Sequence, residues 1–287
     1  MKRITGHTRL LGVFGHPIGH SLSPVMHNAA LRELGLDYAY LAFDVDPADL
    51  ESAVRAIRAL GIVGVNVTIP HKENVIPFLD EISHEARLIG SVNTIINRDG
   101  RLLGESADGR GFMQALSAAG ADVRGKKAVV IGAGGSARAV LYALVTHGAS
   151  VVVANRTVER GEELAKRINE VTSPDSVRAT SLRPDSLREA VEGADLLVNC
   201  TSVGMWPDTD AVPCPEDLLH SGLFVYDLVY NPLRTKLIAE AEKAGATAIC
   251  GLKMLVYQGA ASFKMWTGID PPVETMENAV LEEMSAR

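Results

Sequence analysis

The sequence predicts an α/β protein built as two domains with a cleft between them. Three observations lead there. Residues 126–157 run from an apolar strand, Lys127–Ile131, through a loop, Gly132-Ala133-Gly134-Gly135-Ser136-Ala137, into a helical stretch and a second strand, Val151–Ala154. Strand and helix patterns alternate along most of the remaining chain. A length of 287 residues also favours two cores over one.

In chain order, Leu10 to Gly15 is a buried strand. Ser23-Pro24 opens a helix to about Gly35, with Ser23 as N-cap and Pro24 at the first helical position. Tyr38 to Val45 is a strand and Pro47 to Leu60 a helix. Val63 to Thr68 is a third strand, stopped by Pro70, which has no N–H for a ladder. Polar helical stretches fill 71–89. Val92 to Asn97 and Leu102 to Glu105 pair around the turn dipeptide Asp99-Gly100. Beyond the glycine unit come a short strand and a helix within 172–193, then strands at Ala194–Asn199 and Leu223–Leu228. Helices at Leu252–Trp266 and 272–286 end the chain. In such folds ligands bind outside the carboxyl ends of the parallel strands.

The glycine loop identifies one ligand class. Gly132, Gly134 and Gly135, followed by Ser136 and Ala137, let a pyrophosphate approach the backbone at a helix N-terminus, so this domain is of the Rossmann dinucleotide-binding type. The end of the second strand selects the cofactor. NAD needs an acid there for the ribose 2′-hydroxyl. Here the strand ends in Asn155-Arg156-Thr157, and Arg160 stands one helical turn beyond Arg156. Two guanidiniums suit a 2′-phosphate, which selects NADP.

Composition excludes several classes. With 28 basic and 35 acidic residues the net charge is −7, which argues against nucleic acid as a partner. No apolar run reaches membrane-spanning length, and the segment from Met1 to Arg9 is polar, so a cytoplasmic protein is expected. Cys200, Cys214 and Cys250 have no paired spacing, as expected of thiols in a reducing compartment. His16, His20, His27 and His71 have no metal-ligand spacing, and no metal is expected.

A hydride carrier needs a partner that moves a proton. In Asn66-Val67-Thr68-Ile69-Pro70-His71-Lys72, Asn66 and Thr68 face one side of a strand, and Lys72 is expected in the first turn of the next helix. The helix dipole and desolvation both disfavour an ammonium there, so the lysine is expected to exchange a proton more readily than a free one. A solvated surface lysine is the equal alternative from spacing alone. Asp108, in a glycine-flanked turn, could hold such a lysine, although helix capping is the commoner role for Asp in that setting. Ser21 and Ser23 place two hydroxyls before a helix, where a carboxylate could bind.

Taken together, these segments resemble the shikimate dehydrogenase family over nearly the whole chain. The resemblance rests on Ser21-Leu22-Ser23-Pro24, the 66–72 segment, Ser91-Val92-Asn93-Thr94, the loop 132–137 and Asn155-Arg156-Thr157. It continues through Thr201-Ser202-Val203-Gly204-Met205, Tyr226-Asp227-Leu228-Val229-Tyr230-Asn231-Pro232 and Gly251-Leu252-Lys253-Met254-Leu255-Val256-Tyr257-Gln258. It implies reversible NADPH-dependent reduction of 3-dehydroshikimate to shikimate, with Lys72 and Asp108 as the catalytic pair. Ser21, Ser23 and Tyr230 would hold the ring carboxylate, with Thr68 near it, and Asn66, Asn93 and Gln258 the hydroxyls. Gly132, Gly134, Gly135, Ser136 and Ala137 would cradle the pyrophosphate. Asn155, Arg156, Thr157 and Arg160 would hold the adenosine end, and Met205 and Gly251 would lie by the nicotinamide. The family pattern also divides the chain into a substrate domain, 1–107 with 252–287, and an NADP domain, 108–251. The oligomeric state stays open, a homodimer included.

Two departures stand out. The family usually reads Asn-Thr-Asp where this chain reads Ser106-Ala107-Asp108, and Lys253 replaces a commonly small residue. The first keeps alive a quinate or related cyclic polyol-acid dehydrogenase. A non-catalytic NADP-binding regulator is a further alternative, disfavoured because Lys72 and Asp108 are both retained. A methyltransferase reading fails on the basic strand end.

Overall fold

The computed structural model describes residues 4–286 and separates into two compact units, one running to Gly111 and resuming at Leu255, the other Phe112–Met254. The first unit begins with β1 (Arg9–Gly15), α1 (Ser23–Glu33), β2 (Tyr38–Asp44), α2 (Leu50–Ala59) and β3 (Gly64–Val67). It continues with β4 (Glu81–Ile82), α3 (His84–Ile89), β5 (Thr94–Arg98) and β6 (Arg101–Glu105). Then α4 (Asp108–Ala118) leads into the second unit.

The first sheet has the order β2-β1-β3-β5-β6-β4. β1 is parallel to β2 and β3, whereas β5 runs antiparallel to both β3 and β6. This mixture positions the candidate chemistry. The carboxyl ends of β1 and β3 lie together, with Phe14 opposite Val67. Antiparallel β5 starts where β3 ends, Thr94 opposite Asn66, and β6 ends where β5 starts, Glu105 opposite Thr94. The loops carrying Ser21, Thr68 and Asn93, and the link from β6 to Asp108 at the start of α4, therefore leave from one end of the sheet. The β5–β6 turn is as expected: Asp99 and Gly100 both have positive φ, 53° and 88°, as a type I′ hairpin requires.

In the second unit come β7 (Lys127–Ile131), α5 (Gly135–Thr146), β8 (Ser150–Asn155), α6 (Val158–Val171), β9 (Val177–Ser181) and α7 (Pro184–Val191). β10 (Leu196–Asn199), β11 (Phe224–Asp227), α8 (Lys236–Lys243) and β12 (Thr247–Cys250) complete its sheet. The order is β12-β11-β10-β7-β8-β9, all parallel. Counted from β7 this is the Rossmann order 3-2-1-4-5-6, and the order reverses between β7 and β10, where dinucleotides bind outside the strand ends. Its core includes Val129, Ile131, Leu197 and Val225 from the strands, with Leu187, Leu237 and Ala241 from helices.

Helices α9 (Leu252–Thr267) and α10 (Val273–Ala286) end the chain. α10 packs along α1, and Thr275 hydrogen-bonds Glu33. α9 sets Phe263 and Trp266 beside His27 and Tyr40, in a buried aromatic group. Gly64 makes room for it: a Cβ there would lie 2.2 Å from the Trp266 Nε1 that donates to the Ile95 carbonyl at 3.0 Å. Gly64→Ala is expected to displace the indole and cost about 1–3 kcal/mol. Thermal unfolding would register that as a midpoint lower by several degrees; an unchanged midpoint would show that the indole yields freely.

Three local expectations are corrected. Residues 71–89 are not helical throughout: turns, a 3₁₀ turn at Ile76–Phe78 and β4 precede α3, because Pro70 and Pro77 interrupt the pattern. Ser23 is not the N-cap of α1, which is Leu22 without a side-chain bond, so Pro24 falls at the second helical position. α8 and β12 had no counterpart in the sequence reading; β12 is four residues long and half-buried, too short for a period to register. No described helix is long and apolar enough to cross a membrane, and the described residues hold no metal-binding cluster.

Candidate active site

The end of the first sheet gathers a connected polar group. Lys72 Nζ lies 2.5 Å from Asp108 Oδ2, with side chains only 12% and 5% exposed. Asn93 Nδ2 donates to the other carboxylate oxygen at 2.7 Å and to Gln258 Oε1 at 3.1 Å. The Ala107 N–H donates to Asn93 Oδ1 at 2.8 Å and so fixes which way the amide faces. Asp108 therefore holds Lys72 with one carboxylate oxygen and Asn93 with the other. An ion pair this secluded persists only with such additional bonds, because desolvation otherwise exceeds the Coulomb gain.

Lys72 is not in a helix. It stands in a turn, its carbonyl accepting from Val92 N–H at 2.8 Å, so the expected helix dipole has no helix to act from. Its setting comes from burial and from Asp108. Asn66 is buried, and its amide is engaged within the protein, accepting from Tyr40 and donating to the Asn93 carbonyl and Ser262. Thr68 follows β3, half-buried, its N–H donating to the Phe14 carbonyl. Ser21 Oγ accepts from Ser23 N–H at 3.3 Å, so Ser21, not Ser23, supports the entry to α1. Gln258 is held by its donation to the Leu255 carbonyl. Ser106 and Ala107 are 1% and 0% exposed. The departure before Asp108 thus lies in the interior, while Lys253 is exposed.

The second unit has its candidates at the carboxyl ends of its strands. Gly132 follows β7 with φ +109°, and a Cβ there would sit 3.0 Å from Thr201. Gly134 caps α5 with open space where a Cβ would be. Gly135 begins the helix, Ser136 and Ala137 follow within its first turn, and α5 has neither a side-chain cap nor an acid in that turn. An uncapped helix start behind a glycine loop fits a pyrophosphate. Asn155 ends β8, its Nδ2 on the Thr157 carbonyl. Thr157 is the N-cap of α6, with Arg156 just before it and Arg160 in the first turn, both exposed. These residues fit the 2′-phosphate of NADP.

A buried acid organises the remaining loops. Asp227 accepts from Thr235 Oγ1 at 2.7 Å, Asn199 Nδ2 at 2.9 Å and Val229 N–H at 3.0 Å. Burial pushes its carboxyl above the usual carboxylate range, against those bonds. Asn199 in turn accepts from the N–H and hydroxyl of Thr201. One network thus shapes the loop to Met205 and the loop to Tyr230, both half-buried. Gly251 has a structural reason of its own: a Cβ would lie 2.1 Å from the Leu228 carbonyl oxygen.

Sequence reading passed over Tyr40 and Ser262, and named Thr94 only within a motif. Their signal was faint: polar groups inside apolar patterns, Ser262 four residues after Gln258 on one helix face.

Comparison with known proteins identifies the family. The sequence pattern of the shikimate dehydrogenase substrate binding domain matches residues 13–95, that of shikimate / quinate 5-dehydrogenase residues 114–205, and that of the shikimate 5′-dehydrogenase C-terminal domain residues 251–281. A shikimate dehydrogenase (NADP(+)) of Methanopyrus kandleri is 52% identical over 284 residues, 98% of each chain. The crystal structure of a shikimate dehydrogenase in complex with NADP+ superposes with a TM-score of 0.93 at 44% identity, covering 98% of each chain. That of Thermus thermophilus shikimate 5-dehydrogenase, with NADP(H) and shikimate, gives 0.86 at 41% identity over 96% of this chain and 99% of the other. The chain belongs to the shikimate dehydrogenase family.

Proposed function

We propose that the protein catalyses the reversible, NADP-linked interconversion of 3-dehydroshikimate and shikimate, as a step towards chorismate and the aromatic amino acids. The observation that carries this reading is the secluded Lys72–Asp108 pair, 2.5 Å apart, held from behind by Asn93. NADP, when bound, supplies or takes up the hydride at the ring carbon. Lys72 exchanges the proton on the oxygen of that carbon. Asp108 orients Lys72 and accepts from the reacting hydroxyl, and Asn93 and Gln258 exchange their mutual bond for bonds to the neighbouring hydroxyls. Asn66 braces Asn93 more than it offers groups to a ligand. Ser21, Ser23, Thr68 and Tyr230 take the ring carboxylate. The glycine loop takes the pyrophosphate, Asn155 to Arg160 the adenosine phosphate, and Met205 and Gly251 the nicotinamide side.

Steady-state oxidation of shikimate and quinate, each with NADP and with NAD, tests the reading at the nicotinamide absorbance. Shikimate with NADP is expected to give the highest kcat/KM. Higher kcat/KM for quinate would transfer the assignment to a quinate dehydrogenase, and binding of NADP without any turnover would leave a regulator.

A further inference from the structure

We infer that a one-way chain of hydrogen bonds from Tyr40 to Asp108 orients the catalytic carboxylate, making Tyr40, Ser262 and Thr94 positioning residues. The inference rests on the proposed function, which makes Asp108 catalytic.

Direction follows from groups that can only donate or only accept. The Asn93 backbone carbonyl, an acceptor, faces the Asn66 amide at 3.1 Å, so that atom is Nδ2 and the Tyr40 hydroxyl donates to Oδ1 at 2.7 Å. The Ala107 N–H, a donor, likewise fixes Asn93 Oδ1 and turns Nδ2 towards Asp108. Two hydroxyls stand between these amides, each with one proton. Ser262 Oγ is 2.9 Å from Asn66 Nδ2 and 2.7 Å from Thr94 Oγ1, which is 3.0 Å from Asn93 Oδ1. Thr94 must donate to Asn93 Oδ1, Ser262 to Thr94, and Asn66 to Ser262. Were Ser262 to donate instead to the Gln258 carbonyl, at 3.1 Å, Thr94 would have to turn its proton to Ser262. Two oxygens would then face each other at 3.0 Å with no proton between them.

Every bond thus points the same way, Tyr40 to Asn66 to Ser262 to Thr94 to Asn93 to Asp108. All six residues are at least nine-tenths buried. In such surroundings successive bonds polarise one another, and the last strengthens the grip on the carboxylate. The head of the chain stays a phenol: burial holds the Tyr40 hydroxyl well above its usual range. Its ring is stacked at 4.3 Å on His27, which burial holds neutral with a pKa lowered to about 3. Proton exchange remains with Lys72; the chain only aims Asp108.

Tyr40→Phe and Thr94→Val keep shape and delete one donor each, and Ser262→Ala provides a third break. Each is expected to lower kcat for NADP-linked shikimate oxidation about tenfold while KM for shikimate changes less than about threefold. Thr94→Ser, which keeps the hydroxyl, is expected to restore kcat to within about threefold of the parent. The Tyr40→Phe/Thr94→Val double variant is expected to lose about tenfold, not a hundredfold, because both break one chain. Unchanged kcat in the single variants, a multiplicative loss in the double variant, or a Thr94→Ser variant as impaired as Thr94→Val would overturn the inference. A parent enzyme that does not oxidise shikimate with NADP would overturn the proposed function and this inference together. Parental turnover with indifferent variants overturns this inference alone.

Discussion

Lys72→Ala is expected to lower kcat for shikimate oxidation by about 10²–10⁴-fold, the usual worth of a positioned acid–base group. KM for shikimate should change by a few-fold at most, since binding rests on Ser21, Asn93, Gln258 and their neighbours. The reason is the absence of a substitute. Among the described residues, Lys72 is the one cationic side chain paired with the Asp108 carboxylate, and it is 12% exposed. Asp108 keeps its bond from Asn93 in the variant, so the site loses a proton carrier without losing its frame. Lys72→Arg separates two roles. A guanidinium preserves the positive charge beside Asp108 but does not release a proton. If Lys72 exchanges the proton, Arg fails nearly as badly as Ala. If it only neutralises Asp108, Arg restores turnover. Stopped-flow and steady-state rates on both variants decide this, and an Ala variant within about threefold of the parent would remove Lys72 from the chemistry.

The parts legible in the sequence were those with a local physical cause. Gly132 to Ala137 could be recognised because a close backbone approach needs glycines at a strand end, and Asp99-Gly100 because two positive φ angles define its turn. Lys72 and Asp108 were only even or unfavourable bets from spacing, 36 residues apart, until resemblance joined them. Their meeting depends on sheet topology: antiparallel β5 and β6 return Asn93 and Asp108 to the end of β3, and strand order is not written in any one segment. The helix expected at Lys72 failed because two prolines outweighed a polar periodic stretch. The chain through Tyr40, Ser262 and Thr94 was illegible for a stronger reason. Ser262 and Asn66 are 196 positions apart, and a lone serine on an apolar helix says nothing about what it touches.

Arg156→Ala is expected to raise KM for NADP by about 10–100-fold and to leave NAD within about threefold, so the preference between them collapses. A hydrogen bond to a charged group is worth about 1.5–3 kcal/mol, and each 1.4 kcal/mol is a factor of ten. The position explains the selectivity. Arg156 follows the last residue of β8 and precedes the N-cap of α6, where the adenosine ribose lies in a Rossmann unit. Its side chain is exposed, with no acid paired to it among the described residues, so its charge is available to a phosphate. Arg160 follows in the first turn of α6 and should share the load, making Arg156→Ala/Arg160→Ala weaker for NADP than either single change. One acid, Glu159, sits in that turn, but beyond the strand end where a ribose-binding carboxylate belongs. Equal losses for NADP and NAD would show that Arg156 supports the loop and does not read the 2′-phosphate. A gain for NAD alone would mean that the guanidinium had been excluding the ribose hydroxyl from Asn155. Selective loss of NADP would locate cofactor choice in two side chains at the end of one strand.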